Sequence, residues 1–193
     1  MYWHSRILGL LVFLSVSSAF AQQNVGGLSI DYPHRFTPNR EIASSQRRAL
    51  PSSIQGYIRS LEVFKTSPIK GLREVNLVKI QYAPQVRPSI DGAVDQALEN
   101  LSKLSGMQGF TKSVHRVTVS DREARRASFE ADRANWRMAG EFLFLLDRRT
   151  NTLWQFQVLF GREKSLLPKL VGVNLNTERA LAVQIMDSVR VSE

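Results

Sequence analysis

Two apolar segments in the second half of the chain limit its fold more than any other feature. Residues 138–146 (MAGEFLFLL) are apolar at almost every position, which is typical of a central strand covered on both faces. Residues 152–160 (TLWQFQVLF) place Trp154 and every second residue after it on one apolar face. Residues 147–151 between them have the composition of a hairpin loop. The two segments therefore predict neighbouring antiparallel strands at the centre of a sheet.

The rest of the chain adds further strands to this pair. Alternating apolar residues predict strands at residues 25–31, 58–65, 74–83, 110–119 and 124–131. The predicted strands follow one another instead of alternating with helices, which argues against a doubly wound parallel sheet. The fold class expected is α+β, with an antiparallel sheet of about six or seven strands and helices packed on its faces.

Two helices are predicted from apolar stripes with steps of three and four. The first covers residues 90–104, with Ser89 as its N-cap and Gly106 as its stop. The last covers residues 178–188 and is capped by Thr177. The shorter predictions are a helical turn at residues 41–48, a loop at 49–53 and an irregular segment at 161–173.

This order of elements resembles the fold shared by the Mog1 family and the PsbP family of the oxygen-evolving complex. Four features of the sequence carry the similarity. They are the aromatic and proline residues that interrupt residues 28–38, the middle helix, the aromatic hairpin around Trp154 and the closing IMDSVRV tail at residues 185–191. The resemblance implies an α/β/α sandwich and a non-enzymatic binding or assembly role. It implies no particular site residue, because function does not follow from a fold.

The first 21 residues have the layout of a cleavable secretory signal. Arg6 precedes an apolar run at residues 7–16 (ILGLLVFLSV), and the small residues that follow end in the AFA of residues 19–21. A buried core helix is the alternative for this run, but polar residues follow it at once. We therefore predict cleavage after Ala21, a single globular domain at residues 22–193, no later transmembrane segment, and a periplasmic or secreted location.

The charge of the chain indicates an acidic partner. The formal net charge is +9, and removal of the predicted signal takes away only Arg6 and leaves +8. A basic domain of this kind attracts acidic proteins, lipid head groups or anionic glycans, and export makes nucleic acid an unexpected partner. The alternative is that the excess charge only keeps the domain dispersed in solution.

Arginines crowd the region predicted to form the strands around residue 125. The candidate anion-binding residues are Arg122, Arg125, Arg126, Arg133, Arg148 and Arg149. Carboxylates alternate with them in the sequence, so ion pairing within the cluster is the competing interpretation. Strand geometry also directs neighbours such as Arg125 and Arg126 to opposite faces of a sheet.

No catalytic constellation is visible in the sequence. The chain contains no cysteine, and His34 and His115 are the only histidines after the predicted signal, so no metal site or cofactor is predicted. The expected function is an exported, non-enzymatic binding or assembly protein. Two alternatives remain open: a small envelope hydrolase or ligand-pocket protein with a carboxylate beside His34 or His115, and a subunit of an envelope complex that uses an apolar surface near Trp136 or Trp154.

Overall fold

The computed structural model describes residues 20–50, 52–69, 71–164 and 174–192. The strands are β1 Ala21–Val25, β2 Leu28–Tyr32, β3 Thr37–Pro38, β4 Ile58–Thr66, β5 Leu72–Tyr82, β6 Met107–Val119, β7 Arg122–Arg133, β8 Trp136–Asp147, β9 Thr152–Glu163 and β10 Arg190–Val191. The helices are α1 Arg40–Ala49, α2 Ser52–Gln55, α3 Ile90–Ser102 and α4 Asn176–Asp187.

Seven of the strands form one antiparallel sheet in the order β3-β4-β5-β9-β8-β7-β6. The predicted hairpin is the pair β8–β9, and its register puts Phe142 opposite Gln157. A smaller antiparallel sheet has the order β1-β2-β10 and contains both ends of the described chain. The predicted α+β class and the seven-stranded antiparallel sheet are confirmed.

Each face of the large sheet carries its own apolar core. On one face, α3 buries Ile90, Val94 and Leu98 at a spacing of four residues, and they pack with Phe129 and Phe142. On the other face, α4 and the small sheet cover the buried rings of β9; this core includes Ile30, Tyr32, Phe156, Phe160, Ile185 and Met186. The helices therefore lie on both faces of the sheet, as the predicted sandwich requires.

The N-terminal prediction of one strand at residues 25–31 is wrong, because the chain turns back inside that segment. Gly26 and Gly27 have φ values of +59° and +89° and connect β1 to β2 as a hairpin. A two-residue turn with both φ values positive is one that glycine adopts without steric cost. The Trp154 indole donates a hydrogen bond of 2.8 Å to the Gly26 carbonyl and so attaches this turn to the large sheet.

Other boundaries differ from the sequence predictions at the ends of elements. Helix α4 begins at Asn176 with no side-chain cap, so Thr177 lies inside the helix, and the Asn176 amide bonds to Asn174 Oδ1 at 2.8 Å. Helix α3 ends at Ser102, and Leu104 is exposed. Two segments have a different secondary structure from the predicted one. Residues 52–55 form a short helix that begins within the loop predicted at residues 49–53, and residues 161–163, predicted to be irregular, continue β9. Residues 165–173 and 1–19 lie outside the described part of the chain.

A substitution between β8 and β9 can show how closely these two strands are packed. A Cβ atom at Gly161 would lie 2.7 Å from the Arg137 carbonyl oxygen on β8, so the strand backbone would have to move. We expect Gly161→Ala to lower the free energy of unfolding by about 1–3 kcal/mol, measured by urea denaturation.

Gly56→Ala is the matched control, because no atom lies within 4 Å of its Cβ position and its φ is not positive. The control is expected to change the free energy of unfolding by no more than about 0.5–1 kcal/mol. Equal effects of the two substitutions would contradict the close β8–β9 packing.

Candidate functional site

The structure divides the six predicted arginines between the two faces of the sheet. Arg125 is 5% exposed and points toward α3, where its Nε donates to Asp91 Oδ1 at 2.6 Å and its Nη2 to Glu123 Oε1 at 3.0 Å. Arg126 points to the opposite face, and its Nη2 donates to Asp187 Oδ1 of α4 at 2.8 Å. The strand alternation therefore separates these two guanidinium groups, and each already has a carboxylate partner.

Three of the other four predicted arginines also lie beside carboxylates. Arg148 Nη2 is 2.8 Å from Glu123 Oε2. Arg122 and Arg149 share Asp147, with Nε to carboxylate oxygen distances of 3.4 and 3.6 Å. Arg133 is exposed and makes no ion pair with a carboxylate of the described residues. The six residues do not form one surface, and five of them lie within ion-pair distance of a carboxylate.

A second group of ion pairs joins α4 to β7 and β8. Arg179 of α4 bonds to Glu130 and lies 3.2 Å from Glu141 Oε1. Arg137 bonds to the other oxygen of Glu130 at 2.6 Å and reaches Asp132 at 3.3 Å. These contacts connect the helix to the sheet through charges on three elements, which is a structural role rather than a binding site.

The pKa values in this group follow from burial and from the arginines. Burial raises the pKa of Glu141, and the charge of Arg179 opposes that rise. Burial alone would also raise the pKa of Glu130, but hydrogen bonds from Arg179 and Arg137 outweigh it and lower the pKa. Arg179 is therefore the cation that both glutamates share and that favours the ionised form of each.

A polar cleft of about 1010 Å³ lies at one end of the sheet. Its charged lining consists of Lys79, Asp121, Arg122, Asp147 and Arg149, so it contains both signs of charge. The Gly26 and Gly27 turn and the C-terminal tail at Ser192 close its other side. Arg122 is fixed there by a bond of 2.7 Å from its Nη1 to the Ser120 carbonyl, and its buried Nε has no hydrogen-bond partner within the described residues.

Four cations without an ion-pair partner among the described carboxylates lie elsewhere, on a segment that we call the basic elbow (α1, α2 and residues 56–59). Arg40, Arg47, Arg48 and Arg59 are all exposed, and none forms an ion pair with a carboxylate that the structure describes. Asn39 starts α1 by accepting a bond of 3.0 Å from the Ile42 amide.

Exposed apolar side chains accompany these cations. Ile54 and Tyr57 are 42% and 48% exposed, and neither α1 nor α2 has a buried residue. The elbow is nevertheless ordered by polar contacts: Arg47 Nη2 donates to the Ile58 carbonyl at 3.0 Å, and Gln55 Nε2 donates to the Leu50 carbonyl at 2.7 Å. It is a basic surface with an apolar component, held against the edge of the sheet at β4.

The sequence contains a signal for this surface that arginine density alone does not give. Residues 121–133 contain four arginines and four carboxylates, so their formal charges cancel. Residues 40–59 contain four arginines and only Glu41, which leaves a net charge of +3. Charge balance over a segment, not the number of arginines, distinguishes the free cations from the paired ones.

The described residues supply no arrangement typical of metal or acid–base chemistry. No group of three His, Asp or Glu side chains among them could hold a metal ion. His34 and His115 are both exposed, and neither lines the cleft. Within the described chain, no helix has the length and apolar character needed to cross a membrane.

The ion pairs of Arg179 give a prediction with a definite pH dependence. In Arg179→Gln the pKa of both Glu130 and Glu141 should rise, because each carboxylate loses a bonded cation. At pH 7 we expect the free energy of unfolding to fall by about 1–3 kcal/mol. The loss should shrink as the pH falls through the carboxyl pKa values, because protonated carboxyls no longer need the cation.

Carboxyl carbon chemical shifts and urea denaturation at several pH values measure both effects. Arg133→Gln serves as the control, because Arg133 is exposed and has no described ion pair; it should change the free energy of unfolding by less than about 0.5 kcal/mol. A destabilisation by Arg179→Gln that is independent of pH would contradict the role of these carboxylates.

Comparison with known proteins supports the fold. No protein-family model matches the sequence, and no curated protein matches it either. The solution structure of PsbP (CyanoP) from the cyanobacterium Synechocystis sp. PCC 6803 covers 95% of this chain and 98% of its own, with 10% identity and a TM-score of 0.53. PA94 from Pseudomonas aeruginosa, a protein of unknown function, covers 80% of this chain and 95% of its own, with 17% identity and a TM-score of 0.41. The likeness to the PsbP structure shows that the chain has a PsbP-like fold, as its order of elements predicts.

Proposed function

We propose that this chain is an exported, non-enzymatic binding or assembly module that docks on an acidic component of the cell envelope through the basic elbow. The observation that carries the proposal is that the four arginines of the elbow are exposed and lack an ion-pair partner among the described carboxylates. A carboxylate or phosphate can approach them without displacing an existing partner. The same approach to Arg125 would have to break its bonds to Asp91 and Glu123.

The apolar side chains of the elbow strengthen this proposal. Interfaces combine a polar rim with aromatic and aliphatic groups that lose water on binding. Tyr57 and Ile54 supply such groups on the same segment as the four exposed arginines. A tyrosine that is half exposed offers a rigid apolar ring with a polar end, which suits a surface that is wet when free and covered when bound.

The fold is consistent with the same role. The resemblance to the Mog1 and PsbP families implies binding or assembly rather than catalysis, and the described residues gather no acid, imidazole and hydroxyl in one cavity. Fold alone does not define a partner. The partner chemistry proposed here therefore comes from the charge of the elbow.

Binding at two salt concentrations tests the proposal. Residues 22–193 are offered anionic phospholipid vesicles, an acidic polypeptide and a sulfated glycan, and at least one should bind at low salt and be released at high salt. Arg40→Gln/Arg48→Gln should weaken that binding about 3- to 10-fold, because two exposed cations are lost.

The matched control is Arg148→Gln/Arg149→Gln, which removes the same charge from two arginines that already lie beside Glu123 and Asp147. The control variant should change the free energy of binding by less than half as much as the elbow variant does. An equal loss in the two variants, or binding that salt does not weaken, would contradict docking through the elbow.

Export itself gives a separate prediction. Cleavage after Ala21 would leave Gln22 as the first residue, one residue before Gln23, whose side chain bonds to the carbonyls of Tyr32 and His34 at 2.6 and 2.8 Å. Mass spectrometry of the protein from a Gram-negative host should therefore find a chain that starts at Gln22 in the periplasmic fraction. An intact N-terminus in the cytoplasmic fraction would exclude export.

A ligand pocket is the second candidate function, and the cleft at the end of the sheet favours it. Its cations and carboxylates suit a small polar molecule that bears an anionic group and also donates hydrogen bonds. A hydrolase is less well supported, because neither His34 nor His115 is among the residues that line this cleft. Resonance shifts confined to Thr152 and Trp154 on addition of a small metabolite would favour this second function over docking.

A further inference from the structure

Among the long strands of the large sheet, β6 is the most exposed, and it forms one of the two edges of the sheet. Its six residues from position 111 to 116 are all exposed, so neither face of this stretch is covered. Its pairing partner is β7, and no other strand of the described chain joins it. We propose that β6 binds an extended, acidic segment of a partner protein, which adds to the sheet as an eighth strand.

The backbone of β6 suits the addition of a strand. The opposite edge, β3, has only two residues, and one of them is Pro38, which cannot donate to a ladder. β6 has no proline, and its register shift with β7 is confined to its start, where Gly109 has a φ of +58°. Residues 111–119 then pair with β7 without interruption. An edge strand of this kind presents unpaired amide and carbonyl groups to an incoming chain.

The side chains on one face of β6 determine which side chains the incoming partner strand must have. Lys112, Val114 and Arg116 lie opposite Phe129, Ala127 and Arg125 of β7, so all three point to the face that carries α3. Val114 is 42% exposed, so the apolar core on this face does not cover it. The face of β6 therefore presents a cation, an apolar residue and a second cation at every second position.

These two cations are available to a partner. Neither forms an ion pair with a carboxylate of the described residues. Two carboxylates of α3 are within electrostatic reach, but each is already bonded to a different cation, Asp91 to Arg125 and Glu99 to Lys103.

The same pattern disfavours pairing between two copies of this chain. An antiparallel β6–β6 pair centred on Val114 would place Lys112 of one copy opposite Arg116 of the other, and like charges at such positions repel. A segment with the pattern acid–x–valine–x–acid would place a carboxylate opposite each cation and an apolar side chain opposite Val114. The charge of β6 therefore rejects a second copy and selects an acidic strand.

Synthetic peptides test this inference directly. A nine-residue peptide with glutamate at positions 3 and 7 and valine at position 5 should bind residues 22–193 about 3- to 10-fold more tightly than a peptide of the same composition with its glutamates adjacent. Amide hydrogen exchange should show new protection at alternate residues of 111–119, because only outward-facing amides gain a partner.

Charge reversal supplies the control on specificity. Lys112→Glu/Arg116→Glu should prefer the peptide with lysine at positions 3 and 7, whereas Arg40→Gln/Arg48→Gln in the elbow should leave unchanged the ratio of the affinities for the two acidic peptides. This second variant separates the inference from the proposed function, which can fail independently. Equal affinity for the two acidic peptides, protection outside β6, or self-association of the unaltered protein through β6 would overturn the proposal.

Discussion

Burial of the β8–β9 pair between two apolar cores is the constraint on which the rest of the structure depends. Every residue of β8 from position 139 to 147 is buried, including Glu141 and Asp147, and the rings of β9 fill the core on the α4 side. Helix α3 can cover one face and α4 with the small sheet the other only because this pair is apolar on both sides. The sheet then extends outward from its centre until it reaches two edges that neither main helix covers.

This layered arrangement also decides which charges remain free. Helices α3 and α4 lie over the centre of the sheet and bring acidic residues to it: Asp91 reaches Arg125, and Asp187 reaches Arg126. The arginine-rich strands near the centre are therefore balanced by carboxylates. The cations of the elbow and of β6 lie toward the two ends of the strand order, and none of them forms an ion pair with a carboxylate of the described chain. The excess positive charge thus accumulates at the edges of the sheet.

The central strands and α3 could be predicted from the sequence because their signals are local. An apolar run in β8, alternating rings in β9 and a stripe of leucine and valine in α3 each specify one conformation. β1 was not predictable in the same way, since residues 21–24 are mostly polar and form a strand only by pairing with β2. The glycine pair that turns between them was a usable signal. For the candidate site, arginine density alone did not show which cations are paired: the carboxylates within residues 121–133 were visible in the sequence, but the partners Asp91 and Asp187 come near Arg125 and Arg126 only after folding.

The four arginines of the elbow carry positive charge that no described carboxylate pairs with, whereas most arginines of β7 lie beside carboxylates. Amide resonance shifts during titration with a short polyphosphate at low ionic strength test this difference most directly, because every region of the protein is observed at once. We expect the largest shifts in residues 40–49 and 57–59, with residues 122–133 almost unchanged. Shifts that are largest in residues 122–133 and in the turn at Arg148 and Arg149 would contradict it.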